Sequence, residues 1–223
     1  MKSLFPNIPF LPVNGCSDKK YLSDNTLINV LYPEKGSLYY EVETEQSHIY
    51  VFDSGEEGQS IRSDKRLNSY EWQQIKWFCQ SLEKRVEERK LDKQNIVFIH
   101  IPYEQLSGIK FTPLTGALSA ICEAIENTFE MEMELTWFDG VNEHRESPFT
   151  MYTYSGFNPG LIIGGYTKKD GIFYTESDQY MFPVSRRNLQ GGGIPTFDIC
   201  VYKKPNCWFY RVGQGNDASI RMP

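Results

Sequence analysis

Short apolar runs separated by polar turns make up most of the chain, and helical periodicity interrupts them in two places. Residues 38–42 (L-Y-Y-E-V) and 49–53 (I-Y-V-F-D) are aromatic and β-branched and flank a polar segment, so they read as a hairpin or adjacent strands. The second run stops at Asp53-Ser54-Gly55, a turn signal that leaves a carboxylate at a strand end. Ile75, Phe78, Cys79, Leu82 and Val86 then recur at helical spacing, with Asn68 placed as N-cap and Glu71 at the third helical position. The charged positions 83–90 are mostly the solvated face of that helix. Ile96, Val97, Phe98 and Ile99 follow as a buried strand that ends on His100, and Pro102 prevents its continuation. Strand, helix and strand in this order form a β-α-β unit, which normally yields parallel neighbours in one sheet.

The flanking regions follow the same logic. Residues 10–13 (F-L-P-V) read as a short strand running into the polar turn Asn14-Gly15-Cys16-Ser17-Asp18. Leu118, Ile121, Cys122, Ile125 and Phe129 predict a second amphipathic helix over 115–130. The alternation at 131–135 predicts a one-sided strand, 139–160 reads as loop, and 161–163 as a buried strand stopped by Gly164-Gly165. Two antiparallel strands over 196–202 and 207–212 close the chain around Lys203-Lys204-Pro205-Asn206. The expectation is one α/β domain over residues 1–223, with mixed strands.

Composition narrows the partners. Aromatic residues reach 14%, with 14 Tyr and 14 Phe, which favours sheets over a helical bundle. A net charge of −6 argues against non-specific binding to nucleic acid or an anionic membrane, since both require basic surface. No stretch approaches the ~20 apolar residues of a membrane span. The start, Met1-Lys2-Ser3-Leu4-Phe5-Pro6, lacks the pattern of a signal peptide. Cys16, Cys79, Cys122, Cys200 and Cys207 are odd in number and contain no C-x-x-C pair, so neither a zinc site nor a disulfide framework is indicated. A reduced, cytoplasmic setting is the expectation.

Five segments in order ask for a joint explanation: P-V-N-G-C-S-D at 12–18, D-S-G at 53–55, a helix carrying Gln74 and Trp77 as Q-x-x-W, F-I-H-I-P at 98–102, and L-I-I-G-G-Y-T-K at 161–168. In order and spacing they resemble the calcineurin-like metallophosphoesterase superfamily, nearest its purple-acid-phosphatase-like branch. That family shows G-N-H-D, a strand ending in Asp-Ser or Asp-Thr, a Q-x-x-W helix, a strand ending in H-x-P, and G-H-x-H. The resemblance spans roughly residues 8–202. It implies mixed β-sheets packed as a sandwich with flanking helices, with the N-terminal part of the family fold missing. It also implies phosphate-ester hydrolysis at two metal ions (manganese, zinc or iron) that activate water and hold the phosphate.

Position by position, much of that site is altered. The motifs D-x-H and G-D-x-x-D, which precede G-N-H-D in the family, have no counterpart in residues 1–14. Cys16 stands where the resemblance implies a metal-ligating asparagine, and Ser17 where it implies the histidine that acts on the phosphate. Asp18 keeps the supporting acid position. Tyr166 and Lys168 replace both imidazoles of G-H-x-H, and a lysine there opposes a cation. His100 is the surviving family ligand. Cys16 reads either as a thiolate ligand or as a small buried hydrophobe, and Ser17 as a turn serine without an activating base. His48 and His144 read as structural or exposed.

Three functional readings follow: an active metal-dependent phosphatase completed by a longer chain or a partner; a degenerate, non-catalytic relative kept as a binding or regulatory module; and an unrelated α/β binding domain. The altered internal motifs favour the second, with no metal cofactor expected for this chain alone, because one imidazole cannot fix a dinuclear centre. A bare strand edge at residues 10–13 would favour self-association or a partner chain.

Overall fold

The computed structural model describes residues 11–15, 22–31, 36–55, 66–88, 93–101, 112–127, 133–149, 161–164, 171–172, 182–185, 197–203, 206–212 and 217–221. Among these, the architecture is mixed α/β, with three sheets and three helices. Strands β1 (Tyr40–Glu43) and β2 (Ser47–Phe52) form the antiparallel hairpin expected from their composition, with Tyr40 opposite Val51. β2 then pairs in parallel with β4 (Gln94–Ile99), Phe52 lying opposite Ile99. β4 pairs in parallel with β7 (Leu161–Gly164), and β7 with β9 (Phe182–Ser185). β8 (Gly171–Ile172) completes a sheet of order β1-β2-β4-β7-β9-β8. The β-α-β expectation therefore holds.

Two smaller sheets accompany it. β3 (Leu67–Asn68), β5 (Leu135–Phe138) and β6 (Glu143–Glu146) make one of them. β10 (Phe197–Lys203), β11 (Asn206–Val212) and β12 (Ala218–Arg221) make the other, fully antiparallel.

Alternation along β2 separates two cores. Tyr50 and Phe52 face one way with Val97, Ile99 and Ile162, where helix α2 (Ser69–Glu87) adds Trp72, Ile75, Phe78, Cys79 and Leu82. Helix α3 (Pro113–Asn127) adds Leu114, Ala117, Leu118 and Ile121 to the same cluster. Phe78 meets Tyr50 edge-on at 4.7 Å and Phe52 at 5.6 Å. Such large side chains contribute about 1.5–3 kcal/mol each on burial, so this layer dominates the stability of the sheet. Ile49, Val51 and Phe98 face the other way, toward Leu27 of helix α1 (Asp24–Leu31), with Leu38 and Tyr40.

The helix starts show their chemistry. Asn68 accepts from Glu71 N at 2.8 Å, and Glu71 Oε2 accepts from Asn68 N at 2.7 Å, which is the reciprocal capping box read from the sequence. α3 begins at Pro113, two residues before the expected start, because Thr112 caps it by accepting from Thr115 N at 3.2 Å and proline suits the first helical position. Ser23 caps α1, an element the periodicity did not announce.

Four expectations are corrected. Residues 11–13 are not a strand: Pro12 has no N–H for a ladder, and its carbonyl instead accepts from Tyr40 Oη at 2.8 Å. Among the described residues no strand edge lies there (Phe10 is outside them), and β1 and β8 are the outer strands of the large sheet. Of the strand expected at 131–135, Met131 and Glu132 lie outside the described residues, Met133 and Glu134 are not strand, and β5 starts at Leu135, just before the β-formers Thr136, Trp137 and Phe138. Part of the expected loop, Glu143–Glu146, is strand β6, paired with β5 around a tight turn. There Asp139 Oδ1 accepts from Val141 N and Asn142 N, and Gly140 takes a φ of 100°. His144 accordingly lies on a strand, its Nε2 2.6 Å from Asp139 Oδ2 and its ring stacked on Trp137 at 4.3 Å.

Replacing Asn68 by alanine removes one half of the capping box and leaves the backbone N–H of Glu71, a buried residue, without its side-chain acceptor, while the Glu71 carboxylate keeps the Asn68 N–H. Urea unfolding should show a loss of about 0.5–2 kcal/mol with an unchanged denaturant slope.

Candidate functional site at the carboxyl edge of the parallel strands

Parallel pairing decides which residues meet. Because Phe52 registers with Ile99 and Phe98 with Ile163, the next residues, Asp53 and His100, emerge side by side at one edge of the sheet. Gly164, registered with Ser185, ends β7 on that same edge. In open α/β sheets this is where ligands collect.

Asp53 is the centre of the edge. It is 1% exposed, and its carboxylate is held from three directions. Asn14 Nδ2 donates to Oδ1 at 3.0 Å, Gly55 N donates to Oδ1 at 3.0 Å, and Tyr70 Oη donates to Oδ2 at 2.8 Å. Gly55 reaches that position with a φ of 73°, which a side chain would strain. The Asp53 backbone is clamped as well. Gln74 Oε1 accepts from its N–H at 2.9 Å, while Gln74 Nε2 donates to its carbonyl at 2.9 Å. The Q-x-x-W pair now has a physical role: Gln74 ties α2 to the end of β2. Trp77, one turn on, packs against Tyr39 and Phe52 at 5.2 and 5.5 Å.

Two neighbouring polar atoms, Asn14 Oδ1 and Ser54 Oγ, are buried without a hydrogen-bond partner. Each costs about 1–3 kcal/mol relative to a paired group. His100 is half-buried at the adjacent strand end, followed by the buried Ile101.

Of the residues expected to carry chemistry, the structure brings His100 to this edge beside Asp53, with Gly15 directly after Asn14. Cys16, Ser17, Asp18, Gly165, Tyr166, Thr167 and Lys168 lie outside the described residues. Asn14 and Tyr70 were not foreseen as site residues, because no local pattern links them to a carboxylate 39 and 17 positions away. Nor do the described residues fit a dinuclear metal centre. No three of their His, Cys, Asp and Glu side chains cluster closely enough to hold an ion, and the Asp53 carboxylate already accepts three hydrogen bonds.

The opposite end of the same strands carries a different polar cluster. Glu41, at the hairpin, contacts His48 Nε2 at 3.2 Å and accepts from Ser81 Oγ. Arg85 of α2 donates to Tyr50 Oη at 3.2 Å and to Asn95 Oδ1. The hydrogen bond with His48, reinforced by Ser81, holds the Glu41 carboxyl below its usual range despite partial burial. His48 is thus structural, stacked on Tyr50 at 4.7 Å.

No protein-family model matches the chain, and no curated protein matches it.

Burial, the Asp53 charge and the Asp53 hydrogen bond all push the Tyr70 phenol above its ordinary 10.0, and burial pushes that of Tyr40 up to about 12. Both therefore stay protonated in the folded protein while the unfolded chain releases its protons as pH rises past about 10. Stability present below that pH should be lost above it. Urea unfolding across an alkaline series checks this. Tyr70→Phe should flatten the decline and cost about 1–3 kcal/mol at neutral pH, where Asp53 loses a donor.

Proposed function

We propose that this chain is a degenerate relative of the calcineurin-like metallophosphoesterases, one that keeps the carboxyl edge of its parallel strands as a phosphate-binding or regulatory face without two-metal hydrolysis. The observation that carries the reading is the parallel register that sets Asp53, His100 and Gly164 along one edge, with Asn14-Gly15 tied to it through Asp53. Asp53, His100 and Gly164 stand at strand ends on which resembling motifs fall, in chain order, whereas the 12–18 motif follows no strand at residues 11–13. The sandwich of two packed sheets implied by the resemblance belongs to this proposal too.

The loss of hydrolysis rests on chemistry. Hydrolysis in the family requires a ring of metal ligands. At the corresponding positions this chain has Cys16, Ser17, Tyr166 and Lys168. The Asp53 carboxylate, at the strand end beside that of His100, serves as a structural tie among Asn14, Gly55 and Tyr70. A half-buried imidazole beside a Gly-bounded strand end suits an anion, which it binds as the imidazolium or as a neutral N–H donor.

Two measurements test the reading. After incubation with manganese, zinc or iron and desalting, metal content should be well below one ion per chain, with no turnover of p-nitrophenyl phosphate. Stoichiometric metal with hydrolysis abolished by His100→Ala would overturn the loss of catalysis and support the active phosphatase. The chain has 3 histidines, so the imidazole resonances are assigned by single substitutions. Titration with inorganic phosphate should move the His100 resonance while leaving His48 and His144 in place; an unmoved His100 at millimolar phosphate sinks the binding face.

A further inference from the structure

Two cysteines that the linear sequence keeps apart meet on the β10–β11 hairpin. Cys200 registers with Phe209, and Cys207 with Tyr202, so Cys200 and Cys207 lie diagonally on one face of the sheet. Their sulfur atoms are 3.4 Å apart, in contact, and neither is in a disulfide. Cys207 is buried and Cys200 exposed. Apposed sulfurs with one open to solvent form the geometry of an attacking thiol and a resolving thiol.

We propose that Cys200 and Cys207 are a reversible dithiol site, oxidised by low-molecular-weight disulfides to a cross-strand disulfide. Cys200, as thiolate, attacks one sulfur of the small disulfide R–S–S–R, forming a mixed disulfide and releasing one thiolate. Cys207 then loses its proton and attacks the Cys200 sulfur, expelling the second thiolate. The released thiolates take up the two protons as R–SH, and the two electrons of the protein dithiol pass to the small disulfide. The order follows from exposure: only Cys200 is open to the reagent. Cys207 is held as the thiol by its hydrogen bond with Cys200 and by burial, so the first attack falls to Cys200, and Cys207 must lose its proton before it resolves the mixed disulfide.

The site is connected to the large sheet. Tyr202 lies between the two cysteines in sequence, on their face of the hairpin, and its Oη donates to Gln94 Oε1 at 3.5 Å. Gln94 is the first residue of β4, the strand that His100 directly follows. Oxidation locks the hairpin that carries this contact. The inference is independent of the phosphoesterase reading, since neither cysteine belongs to its motifs.

The test uses the full chain, reduced, desalted and then exposed to oxidised glutathione. Intact mass should fall by two hydrogen atoms, and proteolysis after alkylation should recover one peptide pair joined through Cys200 and Cys207. Cys207→Ser should instead accumulate a glutathione adduct on Cys200, and Cys200→Ser should form neither product. Cys200 is exposed, so its serine variant tests the site even if replacement of buried Cys207 impairs folding, which circular dichroism checks. A persistent glutathione adduct on wild-type Cys200, a disulfide to Cys16, Cys79 or Cys122, or a chain left unmodified would each overturn the proposal.

Discussion

The paired hydrogen bonds between the Gln74 amide and the backbone of Asp53 hold the end of β2 against α2, and the rest of the candidate site depends on them. A residue that has just left a strand has lost its ladder partners, and burying it would normally leave its N–H and C=O unpaired. Gln74 supplies both partners at once from a fully buried position. That frees the Asp53 side chain to gather Asn14, Gly55 and Tyr70 around itself. The clamp also explains why a polar side chain sits on the apolar face of α2, between Trp72 and Phe78.

The two ends of the central strands are built on opposite principles. At the amino end, Glu41, His48, Ser81, Tyr50, Arg85 and Asn95 form a linked network that joins β1, β2, β4 and α2. Such a network ties the elements that carry its members to one another. At the carboxyl end, Asp53 is well satisfied but Asn14 Oδ1 and Ser54 Oγ are not.

Much of the scaffold was legible in the chain. Asn68 and Glu71 announced the start of α2, and the spacing of Ile75, Phe78, Cys79 and Leu82 announced its buried face. The strand ends at Asp53 and His100 were marked by Ser54-Gly55 and Pro102. These signals are local: a cap acts over three residues and an amphipathic face over one or two turns. Strands β3, β6, β8, β9 and β12 escaped notice because they are short and polar or interrupted, and a strand of that kind exists only through its partner. The sequence Glu143-His144-Arg145-Glu146 has no strand pattern of its own; β5 and the Asp139 turn make it one.

By itself, then, the sequence determined the α/β class, the β-α-β unit, the buried face of α2, the burial of Leu118 and Ile121 on α3 (Cys122, Ile125 and Phe129 lie outside the residues whose burial is described), and the delivery of Asp53 and His100 to strand ends. Each follows from periodicity, caps and turn residues within a short window. Only the tertiary structure decided that Asp53 is a buried tie to Asn14 and Tyr70, that Gln74 is a clamp, and that Cys200 touches Cys207. Those facts depend on strand register and helix placement, which bring together residues up to 39 positions apart. Hydrogen bonds and sulfur contacts act over about 3–4 Å, a scale on which sequence distance carries no information.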